Sequence, residues 1–417
     1  MTTGLLLAVI CPVAILWPEV SFSLFLCAGA FKSDPSLAAL AEMVDPTLFL
    51  FAATIAGIII QVIRKKLVVT TPSRQLLVPY YIFVLVMITS LLYTPAPIYG
   101  QEKSLRFLVL ASFVLFVPGI LFTRQKAISR FLITFVLFSL VFSLLTIISN
   151  MGDSSLTYIS GLEGSNYLAL GRIAGTGMLI CLFFHVMPSS RWIVAITGLS
   201  ACMVLLMGVL VSGGRAPSIG LLLSILIVSL IMLFFQRGSV AVRQIKQKIL
   251  LINALMIAGG AGLLYLYTDN LERIFNRLEI LYTYGGGGPV SARLAMISSA
   301  IEAILSFPTI FIGLGIGGFS VHYSGMDVMR GTYPHNILLE AAVELGIFAL
   351  IAIIAWLFYS LRAIFRMPEK ECFYKMTFLA LLFFEFFNAM ISGDLNDNRL
   401  LFFGIGTVLG FKKLEMT

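Results

Sequence analysis

Long uninterrupted apolar segments dominate this chain and decide what it can fold into. Each is about 20 residues long, which is the length that an α-helix needs to cross the hydrocarbon core of a bilayer. The segments show no strict alternation of apolar and polar residues, so they are typical of membrane helices and not of barrel strands. Charged residues make up only 12% of the sequence, against about 25% in a soluble protein. The sequence therefore predicts an all-α integral membrane protein.

The apolar pattern predicts about 12 transmembrane helices. They are expected at residues 4–31, 47–63, 78–95, 105–123, 131–150, 168–187, 191–210, 216–235, 248–268, 338–361, 373–392 and 399–411. The first segment is too long for one straight span, and Pro12 and Pro18 are expected to kink or divide it. The chain then divides into helices 1–9 over residues 1–268, a loop over 269–337, and helices 10–12 with a tail over 338–417.

Basic residues predict the orientation of these helices, because Lys and Arg are retained in the short loops on the cytoplasmic side. Four basic clusters fall on one side of the twelve-span arrangement, together with the basic tail. The clusters lie at 64–74, 124–130, 237–248 and 362–370. We therefore expect both termini in the cytoplasm. The same distribution explains the net charge of +8 as a topology signal, so nucleic acid is not an expected partner.

The predicted external loop 269–337 is far longer than a connection between helices needs, and loops of this length are usually functional. Residues 271–282 and 291–305 have the apolar spacing of amphipathic helices, and Ser291 is expected to cap the second of them. The glycine-rich segment 313–318 follows. The sequence thus predicts one long structured loop on the external side.

Two arginines of the external side are candidates for binding an anion. Arg215 follows the small residues Ser212-Gly-Gly and opens a predicted helix, where a guanidinium and a helix N-terminus can bind phosphate together. The alternative is an arginine that snorkels to the membrane interface. Arg293 lies near the N-terminus of the second loop helix, where a cation is unfavourable. Either an anionic ligand holds it there, or it is an ordinary surface residue.

Arg172 and His335 are further candidates near the external ends of predicted helices. A salt bridge with Glu163 would explain Arg172 as well as a ligand would. His335 precedes a membrane helix, and a neutral imidazole is the natural general base near neutral pH. Glu340 follows five residues later and is expected to orient His335 or to hold a sugar hydroxyl. Lys103 and Arg106 are expected to be an interfacial pair.

Motifs for common cofactors do not occur where their structural context exists. The chain lacks a P-loop, a dinucleotide-binding glycine motif and the spaced His and Cys pairs of zinc sites. This argues against nucleotide hydrolysis and nicotinamide chemistry, and we expect neither a cofactor nor a metal. The five cysteines are expected to be small buried hydrophobic residues.

The sequence resembles the O-antigen ligase and polymerase superfamily of bacterial membrane glycosyltransferases. The resemblance lies in the order of its motifs along residues 212–346. These are Ser212-Gly-Gly-Arg215, Arg293 in the long loop, Phe307-Pro followed by Gly313-Leu-Gly-Ile-Gly-Gly-Phe319, and Tyr333-Pro-His-Asn-Ile-Leu-Leu-Glu340 with Glu344-Leu-Gly346. It implies a GT-C-like helical fold in the bacterial inner membrane, with an active site in the periplasm.

The resemblance also implies a reaction, which is an inverting and metal-independent transfer of a glycan from undecaprenyl pyrophosphate. His335 would be catalytic, and Arg215, Arg293, Arg172, Tyr333, Asn336 and Glu340 would bind the pyrophosphate and the substrate. The motif from Tyr333 to Glu340 favours a polymerase, whose acceptor is another lipid-linked repeat unit. The alternatives are a ligase that uses lipid A–core and, less favoured, a polysaccharide flippase. A chain-length regulator protein is a candidate partner.

Overall fold

The structure is a computed structural model that describes residues 13, 16–31, 45–69, 71–149, 167–235, 248, 254, 289–328, 331–368 and 371–410. Every regular element within these residues is a helix. We number the helices α1 to α14 in chain order. They are α1 Pro18–Phe31, α2 Pro46–Ile63, α3 Arg74–Ser90, α4 Pro97–Leu121, α5 Gln125–Ser149, α6 Leu168–Val186, α7 Trp192–Val211, α8 Arg215–Phe235, α9 Pro289–Leu305, α10 Thr309–Ile312, α11 Gly318–Ser324, α12 Ile337–Phe365, α13 Cys372–Ala389 and α14 Arg399–Gly410.

Eight helices among the described residues are long and apolar enough to cross a membrane. Three more, α1, α3 and α14, are apolar but shorter. These helices make the chain a multi-pass membrane protein, as its apolar segments predict. The predicted span at 248–268 lies outside the described residues except for Lys248 and Ala254, so the total of about 12 spans stays a prediction.

Several helices begin earlier than the apolar pattern predicts. Helix α4 begins at Pro97 and α5 at Gln125, because polar residues of the first turns extend each helix beyond its apolar stretch. Helix α9 begins at Pro289, so Ser291 is its third residue and the expectation that Ser291 caps it is wrong. Proline suits the first position of a helix, where its missing N–H is not needed.

Small residues bring α4 and α14 into backbone contact. A Cβ atom added to Gly406 would lie 2.1 Å from the carbonyl oxygen of Leu115, and one added to Gly410 would lie 2.8 Å from the Cα of Gly119. Close approach at small residues is a common way to associate helices in a membrane, where van der Waals packing replaces the hydrophobic effect. Helix α14 is thereby fixed along the length of α4.

Helix α12 is broken at Gly346, whose φ of 75° and ψ of −169° are not helical. The break frees the carbonyl groups of Val343 and Glu344 from their partners within the helix. The glycine-rich segment 313–318 supplies new ones, because the N–H groups of Leu314 and Gly315 donate to these carbonyls at 2.8 and 2.9 Å. A second segment therefore supplies hydrogen-bond partners for both carbonyls, as irregular backbone inside a membrane protein requires.

Four helix ends meet at one end of the bundle. The side chain of Arg172, in the first turns of α6, donates to residues at the end of α13 and before α14. Asn336, which precedes α12, donates to the carbonyl of Met390 at 3.1 Å, just after α13. The starts of α6, α12 and α14 and the end of α13 are therefore neighbours. The candidate site residues lie at this end of the bundle.

Candidate functional site

The segment before α12 is held by its own asparagine. The side-chain oxygen of Asn336 accepts hydrogen bonds from the N–H groups of Leu338 and Leu339, both at 3.0 Å, and so caps α12. Its amide nitrogen donates to the carbonyl of Met390. Both polar atoms of Asn336, which the resemblance assigns to the substrate, therefore orient the chain. They fix the residue before it, His335, against the end of α13.

His335 has an unusual backbone and an unusual ring environment. Its φ of 56° lies in the left-handed region, which bulky residues adopt at an energetic cost. The ring lies against Tyr333, with the two ring centroids 4.3 Å apart. Its Nδ1 atom is buried and has no hydrogen-bond partner among the described residues. Backbone strain and an unpaired buried polar atom are both typical of functional sites.

The surroundings of His335 keep its imidazole neutral. Burial and the positive charge of Arg293 lower the pKa of His335 to about 4, while the negative charge of Asp397 opposes them. At neutral pH the ring therefore has a free nitrogen lone pair and can accept a proton. Arg293 is half-buried in the first turns of α9. The structure thus brings Arg293 and His335 together from two distant segments.

Tyr333 belongs to the same group of charges. Burial raises the pKa of its hydroxyl, Asp397, Asp394 and Glu340 raise it further, and Arg293 lowers it. The hydroxyl is therefore protonated at neutral pH and available as a hydrogen-bond donor. We call Arg293, Tyr333, His335 and Asp397 the His335 cluster.

Arg172 lies beside this cluster but is bound by the protein itself. One of its terminal nitrogens donates to the side chain of Asn398 at 3.1 Å, and the other donates to the carbonyls of Asn388 and Ser392 at 3.0 and 2.6 Å. These carbonyls lie at the end of α13, where a helix leaves acceptors without partners. The contacts make Arg172 a clamp on the turn that carries Asp397, and Asp397 and Tyr333 lie within electrostatic range of its guanidinium.

Arg215 lies on a neighbouring turn and has an exposed side chain. It is the first residue of α8, after the turn that leaves α7. A Cβ atom added to Gly171 would lie 2.8 Å from the Ser212 hydroxyl and 3.0 Å from Pro217. The Arg215 turn therefore packs on α6 directly beside Arg172. This places an exposed guanidinium at a helix N-terminus, at the same end of the bundle as His335.

The turn between α13 and α14 contributes two carboxylates. Asp394 accepts hydrogen bonds from the N–H groups of Asn396 and Asp397, at 2.9 and 2.8 Å. Burial raises the pKa of Asp394 to about 7, and the charges of Asp397 and Glu340 act in the same direction. Asp397 is exposed and acts on both His335 and Tyr333. No group of His, Cys, Asp and Glu side chains in the described part of the chain is arranged to hold a metal ion.

A comparison with known protein families found a match in the middle part of the chain. Residues 199–354 match the sequence model of the O-antigen ligase family. This segment of the chain is therefore similar to the O-antigen ligase family, which supports the resemblance found in the sequence. A search of curated proteins found no match. The matching segment carries Arg215, Arg293, Tyr333 and His335, whereas Arg172 and Asp397 lie outside it.

Glu340, expected to orient His335 or to hold a sugar hydroxyl, has other partners in the structure. It is buried, and its Oε1 atom lies 2.6 Å from the ammonium nitrogen of Lys103. The same Oε1 accepts a hydrogen bond from the N–H of Leu395 at 3.1 Å. Lys103 also binds Glu344 at 2.7 Å. The expectation that Lys103 and Arg106 form an interfacial pair is therefore wrong for Lys103, while Arg106 pairs with Glu102 on its own helix.

Lys103 and Asp397 are the two residues that the sequence motifs do not single out. Both lie outside the segment that matches the O-antigen ligase family. Asp397 had one signal, because Ser392-Gly-Asp-Leu-Asn-Asp-Asn398 concentrates polar residues in a short turn between two membrane helices. Lys103 had none, since its two partners lie more than 230 residues further along the chain.

Proposed function

We propose that this protein is a membrane glycosyltransferase that moves a glycan from undecaprenyl pyrophosphate to an acceptor hydroxyl in the periplasm. The observation that carries the proposal is the pairing of Arg293 with a neutral His335 at one end of a membrane bundle. A guanidinium and a proton acceptor are the two groups that such a transfer requires. Both lie in the segment that matches the O-antigen ligase family.

The arginines would bind the leaving group. When the bond between the sugar and the pyrophosphate breaks, negative charge develops on the departing phosphate oxygen. Arg293 and the exposed Arg215 would stabilise this charge without a metal, and the N-terminus of α8 adds backbone N–H groups beside Arg215. Arg172 would contribute its positive charge without binding the pyrophosphate directly, because its own donors already bind Asn388, Ser392 and Asn398.

His335 would receive the proton. The acceptor hydroxyl attacks the anomeric carbon from the face opposite the pyrophosphate, so the configuration inverts. As the new glycosidic bond forms, the hydroxyl proton passes to the imidazole of His335. The negative charge of Asp397 stabilises the resulting imidazolium, and Tyr333 can donate a hydrogen bond to a sugar oxygen. The pyrophosphate leaves with the electron pair of the broken bond.

We favour a polymerase, whose acceptor is the sugar of another lipid-linked repeat unit. The sequence Tyr333-Pro-His-Asn-Ile-Leu-Leu-Glu340 supports this choice by its resemblance to polymerases. The second candidate is a ligase that transfers the glycan to lipid A–core, and the family match is compatible with both candidates. The two share one site and differ in the acceptor.

The test replaces His335, Arg293 or Arg215 with Ala in cells that depend on this protein. We expect each variant to reach the membrane and to lower polysaccharide synthesis by about 100-fold or more, because each removes a group that acts on charge or protons in the transition state. Lys375→Met is the control, since Lys375 is half-buried, donates to the carbonyl of Phe365 and lies over the ring of the same residue, at the end of α13 that is remote from the site residues. Wild-type surface polysaccharide in the His335→Ala strain would overturn the proposal.

A lipopolysaccharide gel separates the two acceptors. Loss of a polymerase leaves core with one repeat unit, whereas loss of a ligase leaves bare core. The purified protein in vesicles provides a second readout. Movement of the lipid-linked sugar across the bilayer without a new glycosidic bond would support the flippase alternative and contradict the transferase.

A further inference from the structure

Lys103 lies in the interior of the protein, where no step of the proposed transfer uses it. Its side chain is 0% exposed, and the side chains of Glu340 and Glu344 are 2% and 1% exposed. One buried lysine thus binds two buried carboxylates. The free energy of removing three charges from water is large, and their mutual attraction only partly offsets it. A buried ion cluster therefore contributes little net stability, which raises the question of what else it does.

The cluster connects three segments that surround the His335 cluster. Oε1 of Glu340 binds Lys103 at 2.6 Å and the N–H of Leu395 at 3.1 Å, which lies two residues before Asp397. Oε2 of Glu344 binds Lys103 at 2.7 Å and the N–H of Gly317 at 3.0 Å. The backbone carbonyl of Lys103 accepts a hydrogen bond from the side chain of Asn396 at 3.1 Å. These hydrogen bonds fix the backbone at Leu395 and Gly317 and the side chain of Asn396.

These contacts connect Lys103 with the two segments that carry His335 and Asp397. Glu340 lies in the first turn of α12, directly after His335 and its cap Asn336. Leu395 and Asn396 belong to the turn that carries Asp397. Lys103 on α4 therefore holds both the His335 side and the Asp397 side, and it touches neither residue. Through Glu344 it also holds the glycine-rich segment that pairs with the break in α12.

We propose that Lys103 is a positioning residue that sets the distance between His335 and Asp397 through Glu340 and Glu344. The inference depends on the proposed function for its kinetic consequence, because the transfer is what the two residues would perform. Its structural consequence is independent of any substrate. Glu340 then acts through its geometry as a hydrogen-bond acceptor, and its charge has no part in the chemistry.

The first test replaces Lys103 with Met, which has a similar length and no charge. We expect turnover to fall about 100-fold with KM changed by less than about threefold, because a displacement of about 1 Å between reacting groups slows the chemical step and leaves substrate contacts in place. Backbone amide exchange at Leu395 and Gly317 should accelerate about 10-fold or more, because their acceptors are no longer fixed.

Arg130→Met is the matched control. Arg130 pairs with the buried Glu19 at 2.5 Å at the start of α1. The other end of α1 meets α6, since a Cβ atom on Gly29 would lie 3.7 Å from that of Ala169, so the Glu19 pair lies at the end of the bundle opposite to Arg172. This variant also breaks an ion pair. It should lower thermal stability and leave turnover and the exchange at Leu395 unchanged.

The second test keeps Lys103 and changes Glu340. Glu340→Gln retains a carbonyl oxygen that can accept from Leu395, and it leaves Lys103 paired with Glu344, so the variant has no unpaired buried charge. We expect its turnover to stay within about threefold of wild type, whereas Glu340→Leu, which removes the acceptor, should lose about 100-fold. The comparison of these two Glu340 variants tests the positioning role even where Lys103→Met does not fold.

Three results would overturn the positioning by Lys103. The first is wild-type turnover in folded Lys103→Met protein, and the second is lost turnover with unchanged amide exchange at Leu395. The third is a Glu340→Gln variant as inactive as Glu340→Leu, which would give the carboxylate charge a chemical part. Should the wild-type protein form no glycosidic bond, the proposed function fails, while faster exchange at Leu395 in Lys103→Met still supports the positioning.

Discussion

At the scale of single residues, His335 combines two features that each destabilise the fold. Its φ is positive, and its Nδ1 is buried without a hydrogen-bond partner among the described residues. Each such feature costs free energy that the rest of the structure must offset. Asn336 and Pro334 hold the segment in place on either side, so the strained histidine persists because its neighbours are fixed.

The effect of Arg293 on His335 can be measured directly. The pKa of His335 is lowered to about 4 by burial and by Arg293, and removing the positive charge favours the imidazolium. We expect Arg293→Gln to raise the pKa of His335 towards the ordinary value of 6.5. NMR titration of histidine Cε1–H groups would show this, with the His335 signal assigned by its absence in His335→Ala. An unchanged titration would place Arg293 too far away to act.

The sign of the linkage follows from the lowered pKa. Because the folded protein binds this proton less readily than the unfolded chain does, the contribution of His335 to stability is present above about pH 6.5 and is lost as the pH falls through about 4. In Arg293→Gln protein this loss of stability should be smaller, because the pKa of His335 in the folded protein moves closer to its value in the unfolded chain.

Single residues also show what the sequence can and cannot predict about the site. Arg215, Arg293 and His335 are recognisable because each lies next to a local signal, such as glycines, a helix start or a proline. Lys103 is not, because its surroundings in the sequence, Tyr99-Gly-Gln-Glu-Lys103, are those of an exposed polar turn. Its burial depends on carboxylates of α12, and pairing between distant helices leaves no local pattern.

At the scale of one element, α12 is built as two helical pieces around Gly346. The φ of 75° and ψ of −169° at this glycine belong to a region that only glycine adopts readily. A Cβ atom there would lie 2.2 Å from the carbonyl oxygen of Phe311. The first piece, which carries Glu340 and Glu344, can thus take a position that a continuous helix would not allow.

Gly346→Ala should destabilise the protein by more than about 2 kcal/mol, because it adds backbone strain to a clash with a backbone atom. Gly404→Ala is the matched control, since Gly404 lies within helix α14 and no atom comes within 4 Å of its added Cβ. That change should be neutral or stabilise by up to about 1 kcal/mol. Thermal unfolding of the purified proteins, followed by size-exclusion chromatography, compares them. Equal melting temperatures for the two variants would contradict this account.

Elements also differ in how well their bounds follow from composition. The apolar spans 191–210 and 216–235 correspond closely to α7 and α8, because both helices are apolar throughout. Helix α4 does not correspond, since its first ten residues include several charged or polar ones, among them Lys103. A prediction from hydropathy alone ends a membrane helix at such residues. The sequence does not predict the break in α12 either, because Gly346 lies within an apolar run.

At the scale of the whole molecule, the His335 cluster lies at the end of the bundle where α6, α12 and α14 begin and α13 ends. Basic residues 64–66 lie at the other end, since Gln61 of α2 donates to the carbonyl of Leu16, next to the start of α1. The positive-inside rule assigns the basic end to the cytoplasm. The orientation itself stays a prediction.

Labelling with a membrane-impermeant maleimide tests this orientation. Ser306 and Lys66 are both exposed, and Cys27, Cys181, Cys202 and Cys372 are all buried. We expect a cysteine at position 306 to react in cells whose outer membrane alone is permeable. A cysteine at position 66 should react only after the inner membrane is opened. The reverse pattern would place the His335 cluster in the cytoplasm, out of reach of a periplasmic acceptor.

The pairing of Lys103 with Glu344 also sets an order of assembly during synthesis. The two residues are 241 positions apart, so at roughly 5–20 residues per second the ribosome takes about 10–50 s to supply the partner. During this interval neither Glu340 nor Glu344 is available to the ammonium group, and we expect its long side chain to reach the water at the membrane surface. We therefore expect helix α4 to insert at a shallower depth at first and to reach its final depth when the first half of α12 enters the membrane.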